Sequence, residues 1–374
     1  MKNFKKHISR YGILLSASML FISSISSAKT ITVPKDFKTI QKAIDKSANG
    51  DIIVVNQGTY KENINFKNKN IILKSTMPKN NAVVSQTIID GSESGPVITF
   101  AGKEKPSCVL SGFTITNGKS EEGGGIKGNG SLATIIYNVI SNNTSYGEDT
   151  KGNGGGINDC DGNIQNNTIS TNSASGQGGG IFRCSSIIQN NTITSNQAAS
   201  GGAIALCNGI IQNNIISDNW AALHGGGIAF CKGTIQHNVF YKNNAFYGGG
   251  IAGSEAIIRN NIIWENKAKK GPQIFGSNDP YYCCIQGWTE EGIGIITKDP
   301  QFLNPEKGRF FLKQDSPCID AGIFVKSLKT DIQGEKRGTK GATESRGDGS
   351  HFDIGIDEFN LDTLPSNVKN WKNY

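Results

Sequence analysis

Apolar and glycine positions recur along this chain at a near-constant interval. The phrase Gly-Gly-Gly-Ile followed by Asn-Asn-x-Ile-x-x-Asn repeats between about Gly123 and Asn266. By subtraction, its anchor isoleucines are 31, 24, 23, 24 and 23 residues apart. The anchors are Ile126, Ile157, Ile181, Ile204, Ile228 and Ile251. A fixed period of this length predicts a solenoid, in which each repeat buries its apolar face against its neighbours.

Each repeat carries three apolar positions separated by Gly, Asn and Ser turn signals, which indicates short strands rather than helices. Ile157, Ile164 and Ile169 recur in the next repeat as the equivalent three isoleucines. We therefore predict an all-β fold, a parallel β-helix with three strands per coil. About six regular coils and four irregular ones, spaced about 4.8 Å apart, would form the rod.

The two ends of the chain depart from the period. Residues 39–47 place Ile40, Ala43 and Ile44 at helical intervals, which predicts a short N-terminal capping helix. After Pro272 the period is lost. We expect four segments: a signal peptide (1–28), an N-terminal cap with the first coil (29–60), the parallel β-helix (61–300, with regular repeats at about 119–270), and closing coils with a C-terminal cap (301–374).

Two asparagine columns follow the same period. One column lies two residues before the third apolar position of each repeat, and the other lies three residues after it. The columns are Asn138, Asn167, Asn191, Asn214, Asn238 and Asn261, and Asn143, Asn172, Asn196, Asn219, Asn243 and Asn266. Stacked carboxamides hydrogen-bond from coil to coil. N-glycosylation at the sequons of Asn142, Asn166 and Asn190 is the alternative, but the phase favours a structural ladder.

A cysteine column obeys the period as well. Cys160, Cys184, Cys207 and Cys231 each follow an anchor by three residues, and Ser254 takes that place in the next repeat. In-register stacking leaves Cβ atoms about 4.8 Å apart, beyond the usual range of about 3.5–4.5 Å for a disulfide. We therefore expect a reduced ladder, with disulfides as the alternative. The pairing of Cys108, Cys283, Cys284 and Cys318 stays open.

The first residues have the features of an export signal. Four basic side chains precede the apolar run 13–22, and Ser26-Ser27-Ala28 resembles a cleavage site. We expect a secreted, periplasmic or cell-surface monomer with no transmembrane segment after signal removal. The formal charge of +7 then becomes 7 − 4 = +3. This modest, unclustered charge excludes nucleic acid as a partner and permits an anionic polymer.

These residues resemble the pectin-lyase-like superfamily of right-handed parallel β-helix proteins. The segment 31–64 is similar to the opening of its exported members, and the Asn-Asn-x-Ile-x-x-Asn units resemble its generic β-helix repeats. The series DPQF, SPCIDAG, DIQGEKRG and DIGIDEF resembles the C-terminal region of choice-of-anchor Q surface proteins. The resemblance implies this fold and leaves the activity open, because the superfamily includes lyases, hydrolases and non-catalytic adhesins. No segment matches the arginine-centred pectate lyase motif.

One column offers catalytic groups for β-elimination, which needs a base and a cation that neutralises the uronate carboxylate. His224 and Tyr247 each lie four residues before an anchor, which predicts side chains about 5 Å apart on adjacent coils. They form the candidate acid/base pair, and a solvated turn is the alternative. Arg183 shares a column with Asp159, either as a surface ion pair or as a substrate contact. Lys127 is a further candidate without a partner in phase.

Aromatic residues gather in the later coils. Tyr241 and Trp264 share a register and are expected to point outward, and Trp220 lies nearby in sequence. Exposed rings suit sugar faces but also pack against flanking loops. The first regular coil is longer, and residues 146–151 are its expected insertion, either a cleft wall or a tolerated loop.

Together these features predict an exported protein that binds an acidic polysaccharide and, in the stronger hypothesis, cleaves it by β-elimination. A non-catalytic cell-surface or adhesin-like scaffold is the alternative. No cofactor is assigned, although Ca²⁺ bridged by the substrate stays an open alternative. No nine-residue calcium repeat occurs in the sequence.

Overall fold

The isoleucine period winds the chain into about ten turns of a right-handed parallel β-helix, which confirms the predicted fold class. The computed structural model describes residues 28–147, 152–342 and 346–360. The expected signal peptide lies outside these residues, except for its last position, as does most of the expected insertion at 146–151. Among the described residues, no helix has the length and apolar character needed to cross a membrane.

Each regular coil adds one strand to each of four parallel sheets, not three as predicted. Sheets 1 and 2 each contain ten strands. The strands of sheet 1 are Thr30–Val33, Ile52–Val55, Ile72–Ser75, Val109–Ser111, Thr134–Ile136, Ile164–Gln165, Ile187–Gln189, Ile210–Gln212, Thr234–Gln236 and Ile257–Arg259. Those of sheet 2 are Gly58–Lys61, Thr87–Asp90, Thr114–Thr116, Val139–Ser141, Thr168–Ser170, Thr192–Thr194, Ile215–Ser217, Val239–Tyr241, Ile262–Trp264 and Cys284–Ile285.

The fourth sheet, called sheet 4, was missed by the apolar pattern, because its inward residues are small, such as Ala198 and Ala221. Along the chain, each regular coil passes through sheet 4 before it reaches the remaining sheet, sheet 3. Its strands are Lys119–Ser120, Thr144–Ser145, Ser173–Ala174, Gln197–Ser200, Trp220–His224, Asn244–Tyr247 and Lys267–Lys270. The strands of sheet 3 are Ile64–Asn65, Ile98–Thr99, Ile126–Ser131, Ile157–Cys160, Ile181–Phe182, Ile204–Ala205, Ile228–Ala229, Ile251–Ala252 and Ile274–Phe275.

The anchor isoleucines form one buried column in sheet 3. Each anchor is paired in register with the anchor of the next coil, and all six are fully buried. The column also extends beyond the sequence repeat. Ile98 precedes it, and Ile274 follows Ile251, so the period continues one strand past Pro272.

The asparagine columns form two ladders inside the coils, as predicted. Asn172 is representative: its backbone N–H and its side-chain Nδ2 both donate to Asn196 Oδ1 at 3.0 Å. Its Nδ2 also donates to Ile140 O at 2.9 Å. Because each carboxamide serves the coils on both sides, the buried polar groups satisfy one another. The sequon residues Asn142, Asn166 and Asn190 lie in the turns just before ladder positions.

The ladder cysteines are buried free thiols, as expected, and all eight cysteines of the chain are free. Cys184 N–H donates to Cys207 Sγ at 3.3 Å, and the Cys184 thiol donates to Phe182 O at 3.4 Å. Ser254 continues the row, since its Oγ accepts from Cys231 N at 3.2 Å. The sulfurs of Cys184, Cys207 and Cys231 thus each accept a buried hydrogen bond from the backbone of the preceding coil.

Two α-helices, Ile40–Lys46 and Asn81–Ser85, interrupt the strands in the described residues. The first is the predicted capping helix. Thr39 Oγ1 caps it by accepting from Lys42 N at 3.3 Å, and Glu62 accepts from two further N–H groups of its first turn. Ile40, Ala43 and Ile44 are fully buried in the main core of the rod. The helix therefore covers the apolar end of the first coil.

The C-terminal segment (301–342 and 346–360) folds back over the outer face of sheet 2. It contains an antiparallel hairpin, Phe302–Asn304 and Arg309–Leu312, joined by the 3₁₀-helix Pro305–Lys307. Its apolar side chains pack against Val239, Tyr241, Ile262 and Cys284 in a second core. The segment also buries five carboxylates and one arginine: Asp320, Asp331, Arg337, Asp353, Asp357 and Glu358.

Candidate functional site

Two columns of side chains flank the outer face of sheet 3. The upstream column lies four residues before each anchor and comprises Glu122, Asn153, Gln177, Ser200, His224, Tyr247 and Lys270. The downstream column lies two residues after the anchor and comprises Asp159, Arg183, Leu206 and Phe230. We call the two columns, with the outward residues of sheet 3 between them, the sheet 3 face.

The Gly-Gly-Gly turns connect the upstream column to the strands of sheet 3. Gly201 adopts a left-handed φ of +65°, and a Cβ there would lie 2.5 Å from Ile204 O and 2.7 Å from Ala205 Cβ. A side chain at this position would therefore collide with the next strand. The tight turn also buries the small outward residues Ala205, Ala229 and Ala252 completely. The flanking columns consequently supply the accessible chemistry of the face.

The N-terminal half of the face is charged. Lys127 Nζ lies 3.2 Å from Glu122 Oε2, so Lys127 has a partner in a different column of its own coil, although it has none in phase. Arg183 Nη2 lies 3.8 Å from Asp159 Oδ1, as the shared column predicted. The Arg183 side chain is 61% exposed. This guanidinium is therefore accessible to an anionic ligand.

Asp159 is the most perturbed acid of the face. Burial raises the pKa of its carboxyl above the usual value, and Arg183 opposes that rise. Asp161 and Glu122 add to it through like-charge repulsion. The carboxyl therefore accepts a proton more readily than an ordinary aspartate.

The C-terminal half of the face is aromatic. The rings of His224 and Tyr247 stack on adjacent coils, with centroids 5.2 Å apart and planes 17° from parallel. This confirms their predicted proximity. His224 also contacts Phe230 across the face at 5.2 Å, and Tyr247 contacts Phe275 at 4.8 Å. Lys270 Nζ lies 5.8 Å from the Tyr247 centroid, which brings a cation to the pair.

The three predicted catalytic residues do not form one cluster. Arg183 follows the anchor Ile181, whereas the downstream residue in contact with His224 is Phe230, two coils further along. Two coil steps correspond to about 10 Å along the rod. Arg183 and the His224–Tyr247 pair therefore face different units of any bound polymer.

Trp220 lies beside the sheet 3 face rather than on it. It begins the sheet 4 strand that ends at His224, and its side chain is 47% exposed. Leu223, in the same strand, is 50% exposed. Together they extend the aromatic half with an exposed apolar surface.

Tyr241 and Trp264 are paired in register, and Tyr241 follows the alternative in which an outward ring packs against a flanking segment. Tyr241 is only 2% exposed, since the C-terminal segment covers it. Its ring packs against Phe310 at 5.1 Å, and its hydroxyl donates to Glu265 at 3.0 Å. Burial and this carboxylate raise the pKa of Tyr241. Trp264 is half-buried and lines a cavity of about 340 Å³ beside it.

The donor set of the face does not fit a metal site built by the protein alone. No group of three or more His, Cys, Asp or Glu side chains within the described ranges could hold a metal ion. The nearest carboxylates on the face, Glu122 and Asp159, each already face a cation.

Sequence reasoning missed Phe230, Phe275 and Lys270 as neighbours of the His224–Tyr247 pair. Phe230 stands in the same column as Arg183, so the period contained a signal for its position. Its contact with His224, however, joins two different columns, and the period does not give the distance between columns.

The sequence matches no protein-family model and no curated protein. Among solved structures, its fold is similar to that in "Crystal structure of pectate lyase Pel9A". The two share 12% identity over 90% of this chain and 98% of that chain, with a TM-score of 0.48. At this level the likeness says nothing about substrate or activity.

Proposed function

We propose that this protein is exported and binds an acidic polysaccharide along the sheet 3 face. The observation that carries the proposal is that one straight face holds accessible cations at one end and stacked, partly exposed rings at the other. The face runs from the coil of Lys127 to that of Lys270, six steps or about 29 Å at the usual spacing. This length suits an extended oligosaccharide.

The chemistry of the two halves is complementary. Lys127 and Arg183 would pair with carboxylates of the polymer, and His224 and Tyr247 would stack on sugar faces. Their present partners, Glu122 and Asp159, form partly exposed ion pairs, which are weak and screened by salt. A polyanion that brings several carboxylates at once would compete with them.

Cleavage by β-elimination is the second candidate, favoured by the contact of His224 with Tyr247 and by the nearby Lys270. His224 would take the proton beside the uronate carboxylate while Lys270 neutralises that carboxylate. Tyr247 would protonate the departing glycosidic oxygen. Arg183 would hold a carboxylate of a different sugar unit, because it lies two coils away.

A non-catalytic surface scaffold remains the competing function. Its support is the similarity of the C-terminal series to choice-of-anchor Q proteins, together with the ion pairs that engage both carboxylates of the charged half. In that case the sheet 3 face binds glycan without turnover.

Incubation of the full-length mature protein with a panel of polyuronates, with and without calcium, tests these functions. Binding is measured by calorimetry, and turnover by the ultraviolet absorbance of unsaturated uronate ends. The double variant Lys127→Ala/Arg183→Ala should bind about tenfold more weakly. Lys67→Ala, which removes an exposed ion-paired cation near the first helix, should bind normally.

Each outcome separates the candidates. Turnover that disappears in His224→Ala supports cleavage, whereas binding without turnover supports the scaffold. Equal affinities of the double variant and the Lys67→Ala control would refute the sheet 3 face as the binding site.

A further inference from the structure

Cys283 and Cys284 are adjacent in the chain but face opposite sides of the last coil. Cys283 points into the main core, where its Sγ accepts from Asn261 N–H at 3.4 Å and continues the asparagine row. Cys284 belongs to the second core, beneath the C-terminal segment. Because successive residues of a strand point to opposite faces, the Cys284 thiol lies on the outer face of sheet 2.

The C-terminal segment brings a second thiol to the same place. Cys318 is fully buried and belongs to the same second core, and its side chain raises the pKa of the neighbouring Cys284 thiol. Its backbone is fixed on both sides, since Cys318 N–H donates to Ser316 Oγ at 3.2 Å and Cys318 O accepts from Ile354 N at 3.0 Å. The two thiols thus lie in one buried core at the junction between the rod and its C-terminal segment.

The ladder cysteines lack this geometry. Cys160, Cys184 and Cys207 repeat in register, and each thiol donates to the carbonyl two residues earlier. Their side chains are parallel, which holds neighbouring Cβ atoms about one coil spacing apart. Cys284 and Cys318 come from unrelated segments and share no such register.

We propose that Cys284 and Cys318, which are free thiols in this structure, form a disulfide in an oxidising compartment, and that this bond fastens the C-terminal segment to the last coil. The oxidant is a protein or small-molecule disulfide. One thiolate attacks a sulfur of the oxidant and forms a mixed disulfide, and the second thiolate then displaces the oxidant's other thiol. The two cysteine thiols lose two electrons and two protons, and the oxidant is reduced to two thiols. The bond closes a loop of 318 − 284 = 34 residues.

The order of events follows from burial. The hydrogen bond with Cys318 and burial together raise the pKa of the Cys284 thiol well above its usual value. The reactive thiolate is therefore scarce once the C-terminal segment is in place. The disulfide forms before the segment closes, and afterwards it is shielded from reductants.

Intact-mass analysis of the full chain tests the proposal. The protein is produced in an oxidising compartment, unfolded without reductant, and alkylated at every free thiol. Six of the eight cysteines should be alkylated, and peptide mapping should show a Cys284–Cys318 crosslink. Eight alkylated cysteines, or a crosslink between another pair, would overturn the proposal.

Two variants sharpen the result. Cys318→Ser leaves seven cysteines, all of which should be alkylated. The matched control Cys184→Ser also leaves seven, of which five should be alkylated because the pair is intact. After reduction in denaturant and refolding with reductant present, the wild type and Cys184→Ser should have a lower thermal midpoint than their oxidised forms, whereas the midpoint of Cys318→Ser should not change. If Cys318→Ser does not fold, the crosslink in the wild type decides the question.

Discussion

The stacked coils and the C-terminal segment both bury many polar side chains, but they satisfy them in opposite ways. The coils use neutral amides in series: Asn196 Oδ1 accepts from Asn172, and Asn196 itself donates to Asn219 at 3.0 Å. The C-terminal segment uses carboxylates that accept backbone N–H groups. Asp331, for example, accepts from Gln333, Glu335 and Glu358.

The two arrangements stabilise their regions under different conditions. An amide ladder carries no net charge, so its stability is independent of pH near neutrality and grows with each added coil. Buried carboxylates carry a desolvation cost, which backbone donors and Arg337 offset. The C-terminal segment should therefore respond to pH and to the loss of one cation, whereas the coils should not.

The largest expected effect is that of Arg337→Met. The guanidinium is fully buried and donates to Glu358 at 3.4 Å, Asn213 at 2.9 Å and Gly355 O at 2.9 Å. Its loss leaves buried carboxylates uncompensated, which should cost the C-terminal segment about 3–5 kcal/mol at neutral pH. Hydrogen exchange should show lost protection near residues 353–359 and not in the coils. An equal loss of protection in Lys336→Met, which changes the exposed neighbouring residue, would contradict this prediction.

Asn196→Ala should have the next largest effect, and it acts on the coils. The substitution removes the acceptor of Asn172 N–H and Nδ2 and the donor to Ile169 O at 2.9 Å. Buried groups left without partners should lower the free energy of unfolding by about 3 kcal/mol. Chemical denaturation measures this change, with Gln197→Ala on the exposed side as the control. A similar loss of unfolding free energy in both variants would show that the ladder does not stabilise the coils.

The pH dependence separates the two regions directly. Burial raises the pKa of Asp357 to about 7 and also raises that of Glu358. For a raised acid, the folded state binds the proton more tightly than the unfolded state, whose aspartate titrates near about 3.9. Stability is therefore greatest at low pH and falls as pH rises through about 7.

The raised pKa of Asp357 should by itself make the C-terminal segment more stable at about pH 5.5 than at pH 8, by on the order of 2 kcal/mol. Hydrogen exchange, corrected for intrinsic rates, measures the difference, and Asp357→Asn should reduce it. The asparagine coils should show no such trend. Identical pH trends in both regions would contradict the expectation that only the C-terminal segment responds to pH.

The smallest expected effect is that of Arg183→Ala on stability. Its ion pair with Asp159 is long, at 3.8 Å, and the side chain is 61% exposed. The free energy of unfolding should change by at most about 0.5 kcal/mol. Thermal denaturation checks this, and a larger loss would show that Arg183 is structural rather than available to a ligand.

The period could be read from the sequence because a solenoid makes tertiary neighbours out of residues one repeat apart. Its spacing therefore predicted the anchor column, both asparagine ladders and the contact of His224 with Tyr247. The fourth sheet was missed because alanine and serine serve as its inward residues and leave no apolar signal. The partner of Lys127 was missed because Glu122 belongs to a different column of the same coil.

The contacts between equivalent apolar, asparagine and cysteine positions of successive regular coils follow from the sequence alone, since register converts sequence distance into a fixed axial spacing. Contacts between different columns, and between the rod and its C-terminal segment, could not be predicted without the tertiary structure. The contact of Phe230 with His224 joins two columns, and the fold-back of the C-terminal segment buries Tyr241 and brings Cys318 into the same core as Cys284. These contacts depend on the path of the chain in three dimensions, which a one-dimensional period does not contain.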